Sequence, residues 1–540
     1  MTERQMGKRI DLFIHGGLIY DGTYSEPYEG DIGISKDTIV FINRGSKNKQ
    51  LTSGLRAGQT IDAKNYIVAP GFIDTHGHSE FTLLADPRAE GKLCQGITTE
   101  INGNCGLSAA PLAGEALIQR EQDLIEFDIR ERWASLKEYF EILERREIPL
   151  NFVTLAGHGN IRACIMGYKD KQPVRDELKK MNALLRKTLS EGAAGISTGL
   201  IYPPGVYADT EELIELAKSC SNLIYTSHMR SEGDRLLESV QETIRIGQES
   251  GINIHISHIK TSGRQNWHKI DRMIELIEEG QRKGIKISCD KYPYTASSTD
   301  LDTVLPSWVF EGGFKKELVR LGSPDVRKKI KRQLLNGKNG QEFWENIRIS
   351  TVSKAKNKWM EGKSIASIAK HRGCDPIDTL FTLLIDEKLR VGAIFFSMSE
   401  TNLLRLLSLP CLMIGTDSSS RSTNGPTHKG KPHPRGFGSF PKLLGKYVRD
   451  ESVMSLNEAI HRISFLPART FGIHKRGVIK KGAFADIVIF DARKITDRAT
   501  FGDPFLKPEG IHYVIVNGVT AVSEGELTGR RSGMILRHGK

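Results

Sequence analysis

Short apolar runs, many ending in a polar or chemically active residue, recur through the middle of the chain. They are Ile67-Val-Ala-Pro-Gly-Phe-Ile-Asp, Ile97-Thr-Thr-Glu-Ile-Asn, Phe152-Val-Thr-Leu-Ala-Gly-His, Gly195-Ile-Ser-Thr-Gly-Leu, Leu223-Ile-Tyr-Thr-Ser-His, Ile252-Asn-Ile-His-Ile-Ser-His, Ile285-Lys-Ile-Ser-Cys-Asp and Leu412-Met-Ile-Gly-Thr-Asp. Runs this short and this rich in β-branched residues read as buried strands. Between several of them the apolar period lengthens to that of a helix, over Asp176–Ser190, Thr210–Cys220, Leu236–Glu249 and Asp271–Lys283. Strands alternating with helices predict an α/β fold whose centre is a (β/α)8 TIM-like barrel. A ninth run, Ile394-Phe-Phe-Ser-Met, must then lie outside the barrel, or displace one of the eight.

The two ends of the chain follow a different rhythm. Ile10-Asp-Leu-Phe-Ile-His, Asp31-Ile-Gly-Ile, Thr38-Ile-Val-Phe-Ile and Thr60-Ile-Asp are short strands separated by turns, too few to enclose a core. The far end supplies Ala485-Asp-Ile-Val-Ile-Phe, Ile511-His-Tyr-Val-Ile-Val and Val519-Thr-Ala-Val. Unpaired edges are a liability, so the two ends are expected to meet in one small β-sandwich. This divides the chain into a first sandwich part at 1–66, the barrel at 67–476 and a second sandwich part at 477–540. Residues 296–395 break the barrel's rhythm and are read as an insertion over its mouth, with a basic helical stretch from Phe314 to Leu335 whose cations face solvent.

Composition narrows the partners. At 540 residues, 39% hydrophobic and 26% charged, the chain is expected to be globular, with one large domain and a smaller one. Its formal charge of +12 is spread among carboxylates, with no interleaving of basic and aromatic residues. That disfavours nucleic acid and leaves at most a bias toward acidic small substrates. The N-terminal Met1–Ile10 stretch lacks an apolar signal core, and no run is long enough to span a bilayer. The expectation is a cytoplasmic protein without a membrane partner. Seven cysteines, without a Cys-x-x-Cys, argue against disulfides and structural zinc knuckles.

In the first strand's exit, Asp74-Thr-His-Gly-His78, side chains two apart leave one face, so His76 and His78 converge. The pair alone is weak evidence for a metal. Four further strand ends carry suitable residues: Cys105 in Asn102-Gly-Asn-Cys-Gly106, His228, His258 and Asp417. In a barrel these ends gather at one face, and nitrogen, thiolate and carboxylate donors together suit zinc. His158 is expected to orient a neighbour or to bind metal, His255 to face the helices, and His268, His371 and His461 to occupy surface or helix positions.

Pro70-Gly-Phe-Ile-Asp-Thr-His-Gly-His78, Gln95-Gly-Ile-Thr-Thr-Glu-Ile-Asn-Gly-Asn-Cys-Gly106, Tyr202-Pro-Pro, Thr226-Ser-His-Met-Arg230, Ser257-His-Ile-Lys260, Tyr292-Pro-Tyr, Gly415-Thr-Asp417 and Pro432-His-Pro-Arg435 follow one another in an order that resembles the N-acyl-D-amino-acid deacylases (D-aminoacylases) of the metal-dependent amidohydrolase superfamily. The resemblance implies zinc-dependent hydrolysis of N-acyl-D-amino acids to a carboxylate and a free D-amino acid, with Asp417 as the catalytic acid and base. It implies a tight zinc on Cys105, His228 and His258, and a weaker second position among His76, His78 and Asp417. It further implies that Lys260, Tyr292, Ser298 and Arg435 grip the substrate carboxylate, with Tyr202 nearby. Lys260, two residues past His258, is expected to leave the same strand face. Two departures stand out. The family's His-Thr-His is His76-Gly-His78 here, and the loop from Ser418 to Lys431 is longer and more basic. The alternatives are another amidohydrolase acting on cyclic amides such as hydantoins or dihydropyrimidines, or on dipeptides with D residues, and a non-catalytic scaffold on the same barrel.

Overall fold

The structure is a computed structural model that describes residues 9–45, 56–336 and 340–539. Most of the N-terminal stretch read for a signal core, Met1–Lys8, lies outside them. Two parallel sheets form the centre. One has six strands, running in space Leu412–Ile414, Ile287–Lys291, Asn253–Ile256, Ile224–His228, Gly195–Gly199 and Ala156–Gly157; the other has three, Phe72–Asp74, Ile97–Asn102 and Asn151–Thr154. They are parts of one ring of hydrogen bonds. At one junction Asn151–Thr154 runs through Leu155 into Ala156–Gly157, with Leu155 N donating to Asn102 O at 2.9 Å and Ala194 N to Thr154 O at 2.8 Å. At the other, Thr75 N donates to Ile414 O at 3.3 Å and Asp417 N to His76 O at 2.7 Å.

Inside the ring, Ile73, Ile101, Val153, Leu155, Ile224 and Met413 pack with Ala468 and Phe471 at the end away from the strands' polar exits. Outside it, amphipathic helices bury one stripe each. Leu236–Ser250 turns Leu236, Val240, Thr243 and Ile246 inward, the three- and four-residue spacing of a helix face. The ninth apolar run contributes Gly392–Phe395 to a three-stranded antiparallel sheet with Ser297–Asp300 and Ile347–Thr351. That sheet has its own core, around Leu301, Phe310, Trp344, Ile349 and Phe381. The basic stretch forms two helices, Phe314–Gly322 and Pro324–Asn336.

Both chain ends enter a single nine-stranded sheet, in which Ile487–Phe490 pairs antiparallel with Ile67–Pro70, and Ile67–Pro70 pairs parallel with Arg9–Ile19. Its apolar face encloses Leu12, Ile14, Ile32, Ile34, Ile39, Ile487, Ile489 and Ile515. The first apolar run is therefore two strands. Ile67–Pro70 lies in the outer sheet and Phe72–Asp74 in the ring, with the crossing at Gly71, where a Cβ would stand 2.1 Å from Thr98 Oγ1. Among the described residues no helix is long and apolar enough to cross a membrane.

Candidate metal centre

The exits of the first, second, fifth, sixth and eighth ring strands bring their polar side chains together. Three overlapping sets of donor atoms lie within 4.8 Å of one another: His76, Cys105 and His258; His76, His78 and Asp417; and His228, Glu232 and His258. Cys105 Sγ is 3.3 Å from His76 Nε2 and 3.5 Å from His258 Nε2. Asp417 Oδ1 is 3.3 Å from His78 Nε2 and 3.7 Å from His76 Nε2. The ring centroids of His228 and His258 are 4.3 Å apart. His76 thus stands between the two groups that the resemblance separates, facing Cys105 as well as Asp417.

Local backbone geometry makes these approaches possible. Cys105 has φ of +55°, and Gly106 beside it lies so close to Gly199 N that a Cβ would be 2.7 Å away. His258 and Asp417 also have positive φ, 36° and 49°. Such conformations are costly for residues other than glycine and cluster at functional sites. They also correct the expectation for Lys260. The sixth strand ends at Ile256, so His258 and Lys260 are not on one strand face. They meet directly and over one carboxylate: Lys260 Nζ lies 2.8 Å from His258 Nδ1 and donates to Glu232 Oε1, which is 2.9 Å from the same ring nitrogen.

The electrostatics favour ionised donors. Burial would raise the Cys105 thiol, but the neighbouring His76 and His258 outweigh it and hold it well below the ordinary thiol range. Burial likewise opposes charge on Asp417, yet Arg435, with NH1 2.8 Å from Oδ2, and His78 hold its carboxyl well below the usual range. His228 is 5% exposed, and neither of its ring nitrogens has a hydrogen-bond partner. A buried imidazole without a partner is costly unless a ligand takes one nitrogen, so these residues fit a metal ion.

Several supporting residues escaped sequence reasoning. Asp290 Oδ2 is 2.7 Å from His255 Nε2 and 3.3 Å from His76 Nδ1, while its Oδ1 accepts from His258 N at 2.7 Å. His255 therefore points into the ring rather than toward the helices. A signal existed, since Asp290 ends the apolar run Ile285-Lys-Ile-Ser-Cys-Asp as His228 and Asp417 end theirs. Glu232 carried a weaker one, an acid four residues past His228. His158 stays apart from the cluster, with Nε2 2.8 Å from Glu212 Oε1. His268 and His371 are exposed, and His461 lies in a helix.

Of the remaining residues implied by the resemblance, Tyr292 has a buried hydroxyl without a hydrogen-bond partner. Arg435 stacks on its ring, Cζ 4.5 Å from the centroid, and Arg435 NH2 donates to Ser298 O at 3.2 Å. The Ser298 hydroxyl donates to Ala393 O at 2.9 Å, so it is already engaged. Tyr202 packs edge-on against His228 and shares a 2.9 Å hydrogen bond with Thr299 Oγ1. Tyr202 and Arg435 thereby tie the three-stranded antiparallel sheet to the site.

Behind the two histidines lies a fully buried ion cluster. Lys92 Nζ reaches Asp74 Oδ2 and Thr416 Oγ1 at 2.7 Å, and Ser418 O and Glu100 Oε1 at 2.8 Å. A Cβ on Gly77 would stand 2.0 Å from Glu100 Oε1, so the glycine makes room for Glu100. Gly77→Thr is expected to cost about 1–3 kcal/mol or more in denaturant unfolding, by overpacking. Adding Glu100→Ala should recover part of that loss, leaving the double variant more stable than the two single effects sum to. A neutral Gly77→Thr would contradict this account.

Compared with known proteins, the chain matches the sequence profile described as "Amidohydrolase family" over residues 59–522. It is 33% identical over 536 residues to an N-acyl-D-glutamate deacylase of Alcaligenes xylosoxydans xylosoxydans, covering 98% of this chain and 97% of that one. It is also 33% identical, over 529 residues with the same coverage, to a D-aminoacylase of that organism. A crystal structure of N-acyl-D-glutamate deacylase from Bordetella bronchiseptica, complexed with zinc and a phosphonate inhibitor, superposes with a TM-score of 0.81 at 32% identity, covering 98% of this chain and 100% of that one.

Proposed function

The chain belongs to the amidohydrolase family, among its N-acyl-D-amino-acid deacylases, and from that premise we propose how its site works. The protein is a metal-dependent enzyme that hydrolyses the amide bond of N-acyl-D-amino acids. The observation that carries this reading is the convergence of Cys105, His76 and His258 within 4.8 Å of one another, with Asp417 held ionised beside them.

We read the metal as zinc, with Cys105, His228 and His258 as the tight ligands and His76, His78 and Asp417 around a weaker position. A thiolate among imidazoles supports that choice. The contact of His76 with Cys105 supports placing His76 where it serves both. Bound there, the metal would polarise the scissile carbonyl and make a water molecule acidic near neutral pH. Asp417 takes the proton of the attacking water and delivers it to the leaving amine nitrogen. Arg435, Tyr292 and Lys260 receive the substrate carboxylate, with Tyr202 nearby. A substrate carboxylate that draws Arg435 to itself loosens its hold on Asp417, raising the basicity of Asp417 as the water is attacked. Lys260 and Glu232 both lie against His258 Nδ1, which leaves Nε2 as the nitrogen available to the metal.

The closed ring supports a (β/α)8 barrel spanning 67–476, and the shared sheet of the two ends supports a β-sandwich built from 1–66 and 477–540. The crossing at Gly71 supports a first boundary a few residues further along. Residues 296–395 form the insertion over the mouth. Turnover measured side by side on N-acetyl-D-amino acids, their L enantiomers, hydantoin and dihydrouracil tests the function. The expected result is hydrolysis of the D enantiomers alone.

A further inference from the structure

Lys291 closes the strand Ile287–Lys291, one residue past Asp290. It is 1% exposed, and no carboxylate among the described residues lies within ion-pairing distance of its ammonium. Its Nζ is 3.0 Å from the Met398 thioether and 3.9 Å from the Tyr292 ring centroid. The same ring carries Arg435, so two cations share one aromatic face system whose hydroxyl is itself without a partner. A thioether and a ring compensate an ammonium only weakly for lost water. Lys260, by contrast, is already paired with Glu232.

We propose that Lys291, with Tyr292 and Arg435, forms an anion cradle that binds a carboxylate of the substrate. The proposal rests on the deacylase reading and extends it to a residue with no role there. Two carboxylates are candidates: the α-carboxylate common to all N-acyl-D-amino acids, and the side-chain carboxylate of acidic ones. Burial and the neighbouring charges of Lys260 and Arg435 push the Lys291 ammonium well below its ordinary pKa, while Glu232 and Asp417 act the other way. A bound carboxylate would restore its charge.

The test compares wild type with Lys291→Met and Lys291→Arg on N-acetyl-D-leucine and N-acetyl-D-glutamate, with metal content measured on each sample. Lys291→Met should raise KM about tenfold or more, as loss of a charge-assisted hydrogen bond does, with kcat little changed and metal retained. Lys291→Arg should recover most of the KM. A rise on both substrates assigns the α-carboxylate; a rise on the glutamate substrate alone assigns the side chain. If Lys291→Met fails to fold, Lys291→Gln carries the same readout. Unchanged KM on both substrates, or an Arg variant as damaged as the Met variant, overturns the cradle while leaving the deacylase reading intact. A wild type that hydrolyses neither substrate overturns both.

Discussion

Asp417→Asn is expected to lower kcat for N-acyl-D-amino acids by about 10²- to 10⁴-fold, the range a positioned proton-transfer group contributes. The protein should still bind metal, because Cys105, His228 and His258 are untouched. The environment of Asp417 sharpens the expectation. Its carboxylate is 88% buried by side-chain exposure and meets Arg435 at 2.8 Å and His78 at 3.3 Å. Asparagine preserves shape and one acceptor oxygen but cannot take a proton from water. It also releases Arg435, so KM should stay constant or fall rather than rise. Steady-state kinetics with metal analysis on the same sample check this. Turnover within tenfold of wild type, or loss of all bound metal, would contradict the assigned role.

Cys105→Ala is expected to remove the tight metal and, with it, activity. Loss of a residue that merely supports a ligand typically costs about 10- to 100-fold in metal affinity. Loss of the thiolate itself should exceed that. The sulfur lies between His76 at 3.3 Å and His258 at 3.5 Å, so its absence leaves these imidazoles without the negative charge that draws them together. Zinc affinity of wild type and variant, measured by competition with a chelator, checks the point. Equal affinities would remove Cys105 from the ligand set. The backbone should tolerate the change, since alanine is no more strained than cysteine at φ of +55°.

The chemistry was more legible in the sequence than its supports. His76 and His78 announce themselves through the two-residue period of an extended exit, and His228, His258 and Asp417 through their place after apolar runs. Three features hid the rest. Where a strand ends in a residue of positive φ, as at His258, alternation stops predicting direction, so Lys260 reached its neighbour by another route. Where a run continues across a sheet change, as at Gly71, hydrophobicity alone does not mark the break. Alternation from His258 points His255 outward, whereas its partner Asp290, 35 positions away in the chain, holds it inside the ring. Long-range polar pairs of this kind, like Lys92 with Glu100 beneath Gly77, leave no periodic trace. The ninth apolar run lies outside the ring because Gly392–Phe395 pairs, among the described residues, with Ser297–Asp300 and Ile347–Thr351 in a separate antiparallel sheet.

The most direct test of the account is enantiomer-resolved turnover by a metal-loaded sample, with cyclic amides alongside. The account predicts release of free D-amino acid from N-acetyl-D-amino acids, with no comparable turnover of the L enantiomers, hydantoin or dihydrouracil. Preferential opening of a cyclic amide, or equal hydrolysis of both enantiomers, would contradict it.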